Sequence, residues 1–252
     1  MDLDLKGKFA LITGGSHGIG LAIASALAEE GCNVAVCSRD PKKLLSAKKQ
    51  LSAYGVSVLA KKCDVLKKSD VEKVISSIIK SWGTLHILIN NVGGGGRWGK
   101  PIFEKTEEKV WQEVYDKNAG AAIRFTMPLI PLMKKQKWGR VVTIASIYGK
   151  EGGGRPWFNM AKSAEISLMK NLAMNPDYAR AGITFNTVAP GGIMIPDTGW
   201  EKEAKENPKA FKKMVLEHFP MGRLGAPEEV ASVVAFLCSE KASLINGACI
   251  VV

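Results

Sequence analysis

Strand-like and helix-like segments alternate along this chain from end to end, and this order constrains the fold more than any other feature. Short apolar runs at 9–12, 34–37, 56–62, 85–89, 140–145, 183–188 and 248–252 are separated by segments with helical periodicity. Parallel strands need crossover connections, which are usually helices, so this order is typical of a parallel sheet. The sequence therefore predicts one α/β domain over residues 1–252, a doubly wound parallel seven-stranded sheet with helices on both faces.

Three segments between the strands carry further expectations. A long helix is predicted within residues 106–137, with a bend near Pro128 and Pro131, because proline cannot donate a backbone hydrogen bond. The pattern over residues 156–180 predicts a second helix. Residues 194–222 are polar, rich in Lys and Glu and loosely helical, which indicates a mobile lid over a site.

Composition argues against several classes of protein. The net charge of +11 comes from scattered basic doublets that fit helix surfaces, so we expect a solvated surface and no nucleic-acid partner. Every apolar run is shorter than a membrane span, and the chain start lacks a signal-peptide pattern, which predicts a cytoplasmic protein without a membrane partner. The five cysteines and three histidines lack metal-ligand spacing, so no metal site is expected.

The first strand runs directly into a glycine-rich turn, Thr13-Gly14-Gly15-Ser16-His17-Gly18-Ile19-Gly20, and a helix follows it. Glycines allow the tight turn and let backbone N–H groups approach a pyrophosphate at the helix N-terminus. An ordinary glycine-rich turn is the alternative, but the position after the first strand favours a dinucleotide site. The cofactor contacts expected in this turn are Gly14, Ser16, His17, Gly18, Ile19 and Gly20.

The end of the second strand indicates which dinucleotide would bind. Ser38 and Arg39 stand where a carboxylate that selects NAD would be expected. A hydroxyl does not repel a 2′-phosphate, and a guanidinium can pair with it through two hydrogen bonds. NADP(H) is therefore favoured over NAD(H), and His17 would add positive charge nearby. Asp40 would weaken this preference if its carboxylate pointed into the ribose pocket.

A helix face near the middle of the chain has most of a proton-transfer site. Residues 158 and 162 are four apart and share one helix face, as in the Tyr-x-x-x-Lys arrangement that protonates a substrate oxygen in hydride-transfer enzymes. Lys162 is present, but residue 158 is Phe, which has no hydroxyl group. The sequence thus indicates an oxidoreductase that lacks its proton donor.

With these motifs in place, the chain resembles the short-chain dehydrogenase/reductase family over nearly its whole length. Besides the glycine turn, the matching motifs are Asp64-Val65, Asn90-Asn91-Val92-Gly93, Asn118, Ser146, Lys162 and Pro190-Gly191. The resemblance is to the 3-oxoacyl reductase branch, and it implies a Rossmann fold that binds a nicotinamide cofactor.

The resemblance also implies roles for individual residues. It places Asn118, Ser146, Phe158 and Lys162 at the catalytic positions, with Phe158 in place of the family's Tyr. The cofactor contacts that it implies outside the glycine turn are Asp64, Val65, Asn91, Gly93, Lys162, Pro190, Gly191 and Ile193. In the family, Ser binds the substrate oxygen, Lys lowers the Tyr pKa and holds the nicotinamide ribose, and Asn anchors a water.

The expected function is NADP(H)-dependent interconversion of a ketone and a secondary alcohol, impaired by Phe158. One alternative is a catalytically inactive nucleotide-binding or regulatory protein that kept the cofactor site. Another is that Tyr148 supplies the proton instead. Whether Phe158 is an engineered or a natural residue stays open.

Side chains for the small-molecule carbonyl or alcohol substrate are expected near the carboxyl ends of the strands. The candidates are Arg97, Trp98, Tyr148 and Trp157. Members of the resembling family are commonly homotetramers, so a homo-oligomer, tetramer or dimer, is expected.

Overall fold

A computed structural model describes residues 2–252 and contains one parallel sheet of seven strands. The strands are β1 (Phe9–Thr13), β2 (Asn33–Ser38), β3 (Val58–Lys62), β4 (Ile87–Asn90), β5 (Gly139–Ile144), β6 (Ile183–Ala189) and β7 (Cys249–Val251). They lie in the order β3-β2-β1-β4-β5-β6-β7, and every pairing is parallel. The predicted doubly wound sheet is thereby confirmed.

Ten α-helices connect or follow these strands in the described part of the chain. They are α1 (Gly18–Glu29), α2 (Pro41–Ser52), α3 (Lys68–Trp82), α4 (Glu108–Tyr115), α5 (Ala121–Gln136), α6 (Pro156–Ala173), α7 (Pro176–Ala179), α8 (Gly199–Glu206), α9 (Pro208–His218) and α10 (Pro227–Cys238).

Apolar side chains cover both faces of the sheet because successive residues of a strand point to opposite sides. Within β1, Ile12 joins a buried cluster with residues of α1 and α10, whereas Leu11 joins another with residues of α3, α5 and α6. Both side chains are fully buried. The central strands are thus fixed from two sides, which holds their carboxyl ends in one place.

The long helix expected within 106–137 is interrupted at a different place from the one predicted. A π-helical turn, Asp116–Gly120, separates α4 from α5, and α5 then continues through Pro128 and Pro131. The prolines do not end α5, because both lie on its exposed face, where carbonyls that lose a partner can bind water; the predicted bend stays a prediction.

The helix expected over residues 156–180 is shorter than predicted. It ends at Ala173, and Asn175 then caps the short helix α7 by accepting a hydrogen bond from the N–H of Asp177 at 2.9 Å. Pro176 has no N–H to continue the first helix, so the chain stops and restarts there.

The polar segment 194–222 contains α8 and α9, which pack against each other through aromatic rings. The ring centroid of Trp200 lies 6.1 Å from that of Phe211 and 6.4 Å from that of Phe219. Arg97 of the glycine-rich loop reaches this segment and pairs with Glu203 at 2.9 Å. The segment is therefore attached to the loop that follows β4.

None of the helices formed by residues 2–252 combines the length and apolar character needed to cross a lipid bilayer.

Candidate active site

The candidate site lies at the carboxyl ends of the central strands. The strand order reverses between β1 and β4, and the loops that follow these two strands leave the sheet in opposite directions. Open parallel sheets bind ligands in the crevice at such a point. The loop after β1 carries Gly14, and the loop after β4 carries Asn91 and Gly93.

The glycine-rich turn is held close to the loop after β4. Gly14 has a φ of 66°, which favours glycine, and its N–H donates to the carbonyl of Cys37 at 2.8 Å. The side-chain amide of Asn91 donates to the carbonyl of Thr13 at 2.9 Å. A Cβ at Gly20 would overlap both that amide nitrogen and the carbonyl oxygen of Gly14. The turn therefore has no room for side chains at these glycines, as a backbone cradle for a pyrophosphate requires.

This packing leads to a first prediction. Gly20→Ala should lower the free energy of unfolding by about 1–3 kcal/mol, because an overpacked site must shift its backbone. It should also weaken NADPH binding, because the turn moves with it. Urea denaturation and NADPH fluorescence titration would measure the two effects. Gly152→Ala is the matched control, since nothing lies within 4 Å of a Cβ there; equal behaviour of the two variants would contradict the prediction.

A cavity of about 390 Å³ opens next to this turn. Its lining includes most of the residues expected to hold the adenosine half of the cofactor: Gly14, His17, Ser38, Arg39, Asp64, Val65, Asn91 and Gly93. Ser16 is buried beneath it and donates a hydrogen bond from its hydroxyl to that of Ser38 at 2.8 Å.

Asp40 does not line this cavity. Its carboxylate caps α2 by accepting hydrogen bonds from the N–H groups of Lys42 at 2.8 Å and Lys43 at 3.2 Å. The carboxylate that could have weakened a preference for a 2′-phosphate is therefore occupied at a helix N-terminus.

A second cation, which the sequence reasoning missed, stands at the same cavity. Lys117 lines it, and its ammonium lies 4.5 Å from the ring centroid of Trp98. Burial lowers the pKa of Lys117, the positive charge of Arg39 lowers it further, and Asp64 opposes both. Lys117 directly precedes Asn118 in the chain, and that position was the signal that could have found it.

Asn118 lies in the π-helical turn between α4 and α5, and its side chain is fully buried. Its amide nitrogen donates to the carbonyls of Gly94 at 2.8 Å and Val114 at 2.7 Å, and its oxygen accepts from the N–H of Gly94 at 3.1 Å. Single π turns in α-helices occur frequently at functional sites. This one ties Asn118 to the glycine-rich loop after β4.

Lys162 approaches the same loop from α6. A Cβ at Gly93 would lie 2.8 Å from Nζ of Lys162 and 2.6 Å from Oδ1 of Asn118. Nζ also lies 5.8 Å from the ring centroid of Phe158. The structure thus brings Asn118 and Lys162 together at the backbone of Gly93, and it places the ring of Phe158 beside Lys162.

Phe158 is half-buried, and the glycine-rich loop covers one side of its ring. A Cβ at Gly96 would lie 3.4 Å from two atoms of that ring. Ser146 follows β5, and its hydroxyl oxygen accepts a hydrogen bond from the N–H of Tyr148 at 3.3 Å. Among residues 2–252 the Ser146 hydroxyl hydrogen has no protein acceptor, so it remains available to an incoming oxygen.

The turn after β6 adjoins the Ser146 turn. The carbonyl of Pro190 accepts a hydrogen bond from the N–H of Ile147 at 3.0 Å. Gly191 follows it, and the buried Ile193 pairs with Gly225 in an isolated bridge. This turn therefore lies next to the Ser146 turn, and contact of these three residues with a cofactor stays a prediction.

Of the four residues expected to contact substrate, Trp157 is misplaced. It is fully buried between α4 and α6 with Val114 and Ala161, and its ring lies 5.6 Å from that of Trp111. It cannot form a wall of an open pocket. The burial of Trp157 cannot be read from the sequence, because the approach of α4 to α6 depends on tertiary packing.

The other three residues reach the surface or the cleft. Arg97 pairs with Glu203 and lies over the ring of Trp200, Trp98 lines the cavity next to the glycine-rich turn, and Tyr148 is exposed beside Ser146. The guanidinium of Arg97 thus already has an anionic partner, Glu203, in an exposed ion pair. No group of three His, Cys, Asp or Glu side chains within residues 2–252 is arranged to hold a metal ion.

Comparison with known proteins assigns this fold and site to a family. A family model described as enoyl-(acyl carrier protein) reductase matches residues 14–252. Dehydrogenase/reductase SDR family member 4 of Oryctolagus cuniculus is 37% identical over 250 residues, which cover 98% of this chain and 93% of that protein. The chain belongs to the short-chain dehydrogenase/reductase family of oxidoreductases, and the resemblance found in the sequence is confirmed.

Solved structures agree with this assignment. The structure of L-sorbose reductase from Gluconobacter frateurii, complexed with NADPH and L-sorbose, matches with a TM-score of 0.92 at 32% identity and covers 100% of this chain and 97% of that one. NAD⁺-bound xylitol dehydrogenase matches with a TM-score of 0.89 at 27% identity, covering 99% and 98%. The two relatives carry different nicotinamide cofactors.

Proposed function

We propose that the chain is an NADP(H)-dependent oxidoreductase that interconverts a ketone and a secondary alcohol, impaired by Phe158. The observation that carries this proposal is the approach of Asn118 and Lys162 to the backbone of Gly93, with the ring of Phe158 beside Lys162. A bound nicotinamide would supply or accept the hydride. The chain's own residues would orient the substrate oxygen and deliver its proton.

The chemistry of each residue at the four catalytic positions suggests its role in the proposed reaction. The free hydroxyl hydrogen of Ser146 donates to the substrate oxygen, and Lys162 donates to the cofactor ribose from its buried position. Asn118 keeps the loop after β4 in place through Gly94. A water of the proton relay would have to donate to an oxygen of Asn118, because both hydrogens of its amide are used by Gly94 and Val114. Phe158 fills the place of the acid but has no proton to give. A positioned acid contributes about 10²–10⁴-fold, so turnover is slowed by that order.

The preference for NADP(H) is supported by the charges at the adenosine cavity. Arg39 and Lys117 place two cations there, Ser38 offers a hydroxyl, and the carboxylate of Asp40 is occupied. L-sorbose reductase, which shares the fold, is complexed with NADPH. A 2′-phosphate would find charge-assisted donors at this end of the cavity.

Arg39→Ala tests this preference. It should weaken NADPH binding about 10- to 100-fold, the effect of losing a hydrogen bond to a charged group. NADH affinity should change much less, because NADH has no 2′-phosphate. Fluorescence titration with both nucleotides gives the comparison, and Lys48→Ala, at an exposed position of α2, is the control. An equal loss of affinity for NADPH and for NADH would show that Arg39 does not bind the 2′-phosphate.

The substrate is proposed to be a β-keto compound or a simple ketone. Trp98 and Tyr148 stand near the cleft, and residues 194–222 would act as its lid, attached through Arg97 and Glu203. Assembly as a homo-oligomer and a cytoplasmic location are further parts of the proposal, taken from the family pattern and the chain's composition.

A second candidate function rests on Phe158 alone. A chain that binds the dinucleotide but lacks the acid fits a nucleotide-sensing or regulatory protein. If instead Tyr148 supplies the proton, Tyr148→Phe should remove whatever ketone reduction this chain performs.

The proposed function is tested by NADPH oxidation against a panel of ketones, β-ketoesters and L-sorbose, with this chain and its Phe158→Tyr variant side by side. Turnover by the variant supports the reductase. Tight NADPH binding by both forms without turnover favours the binding protein.

A further inference from the structure

Lys162 has a partner that the sequence reasoning did not name. Its Nζ lies 2.9 Å from Oε2 of Glu165, one helical turn further along α6, and the two side chains are only 5% and 1% exposed. The same ammonium donates to the carbonyl of Ile144 at 3.0 Å. Two of its three hydrogens are thus used inside the protein, which leaves one for the cleft at Gly93.

A carboxylate this deeply buried is tolerated only when it is paired. Burial raises the pKa of Glu165, and the ammonium of Lys162 opposes that rise by charge and by hydrogen bonding. The residues described by the structure offer Glu165 no other ion-pair partner within 4.0 Å. The two side chains therefore form a closed pair.

Charged groups on the elements packed against α6 are engaged elsewhere. Lys109 pairs with Glu113, Asp116 with Arg124, and Arg140 with Glu240, while Lys117 lies over Trp98. The remaining ionisable groups on α4, α7 and the segment between β5 and α6 are Glu108, Tyr115, Tyr148, Lys150, Glu151, Arg155, Asp177, Tyr178 and Arg180. The dominant charge that acts on Lys162 is accordingly that of Glu165.

We propose that Glu165 is a positioning residue that holds the ammonium of Lys162 in place and neutralises its charge. The pair then presents one hydrogen-bond donor with little net charge to position 158 and to the cofactor side of the cleft. The pKa of a phenol at position 158 would therefore be lowered less by this pair than by a lysine without a carboxylate partner. This inference rests on the proposed function only for its consequence in catalysis.

The test reads the phenol directly and needs neither cofactor nor substrate. The ultraviolet absorbance of phenolate is titrated in Phe158→Tyr and in Phe158→Tyr/Glu165→Gln, each corrected by the matched chain that keeps Phe158. We expect the phenol pKa to fall by about one pH unit when Glu165 becomes neutral, because the charge of Lys162 is then unopposed. An unchanged or raised phenol pKa would overturn the proposal.

Two further variants serve as a control and as an alternative route to the same measurement. Glu113→Gln removes the acid of the surface pair on α4, so it should leave the phenol pKa unchanged. Lys162→Met/Glu165→Leu replaces both buried charges by apolar groups and covers the case in which Glu165→Gln does not fold. If the pair is neutral overall, the phenol pKa in this background should stay within about half a pH unit of that in Phe158→Tyr. A rise of one pH unit or more would mean that Glu165 carries no charge, against the proposal.

The titration also separates two kinds of failure. If Phe158→Tyr reduces no ketone but its phenol responds to Glu165→Gln, the proposed reaction is wrong and the role of Glu165 stands. If Phe158→Tyr reduces ketones but its phenol pKa does not change with Glu165→Gln, the proposed reaction stands and the inference about Glu165 is wrong.

Discussion

Phe158→Tyr is expected to raise NADPH-dependent ketone reduction by about 10²–10⁴-fold. The substitution adds one hydroxyl to a half-buried ring that already lies beside Lys162, with 5.8 Å between Nζ and the ring centroid. In the proposed reaction, the added phenol would give its proton to the substrate oxygen that Ser146 would bind. Steady-state NADPH oxidation by the two forms, at matched protein and substrate concentrations, measures the gain.

Phe103→Tyr is the control for this gain, because Phe103 is 62% exposed and outside the cleft. It should leave the rate unchanged. Comparable ketone reduction by this chain and by Phe158→Tyr would show that position 158 is not the acid. Tyr148 would then be the next phenol to test.

The largest effect on stability is expected from Lys162→Met. It leaves the carboxyl of Glu165 buried without a partner, which typically costs about 3–5 kcal/mol of unfolding free energy. The loss should depend on pH, because a buried unpaired carboxyl is protonated in the folded protein but ionises readily in the unfolded chain. The raised folded-state pKa means that stability is lost as pH rises above about 4.3, the ordinary value for glutamate, and is recovered below it.

Urea denaturation near pH 8 and near pH 5 would measure this dependence. Lys170→Met is the matched control, since Lys170 is an exposed lysine on the same helix, and it should change stability by less than about 1 kcal/mol at either pH. A loss in Lys162→Met that is small, or that does not shrink at low pH, would mean that Glu165 is not held by Lys162.

The sheet could be predicted from the sequence because its strands are encoded locally. Strand β4 (Ile87–Asn90) is buried throughout and begins with three apolar residues, and the glycine turn after β1 needs residues without a Cβ. Asn118 and Lys162 were located by family motifs at fixed spacing. Local pattern and spacing therefore sufficed for the fold and for the outline of the site.

Features that depend on tertiary contacts were missed. The π turn that holds Asn118 leaves helical periodicity nearly intact, whereas Pro128 and Pro131 looked disruptive but face outward. Trp157 is buried by α4, a neighbour that its own segment does not reveal. Two missed residues had a readable signal: Lys117 directly precedes Asn118, and Glu165 follows Lys162 by three residues and shares its helix face.

The most direct test of the account is hydride transfer itself. NADPH deuterated at C4 of the nicotinamide is incubated with Phe158→Tyr and the ketone panel, and the alcohols are examined by mass spectrometry. The account requires deuterium on the carbinol carbon of at least one product, and far less of it with the Phe158 form. Tight NADPH binding without deuterium in any alcohol would contradict it and favour a protein that binds the nucleotide without using it.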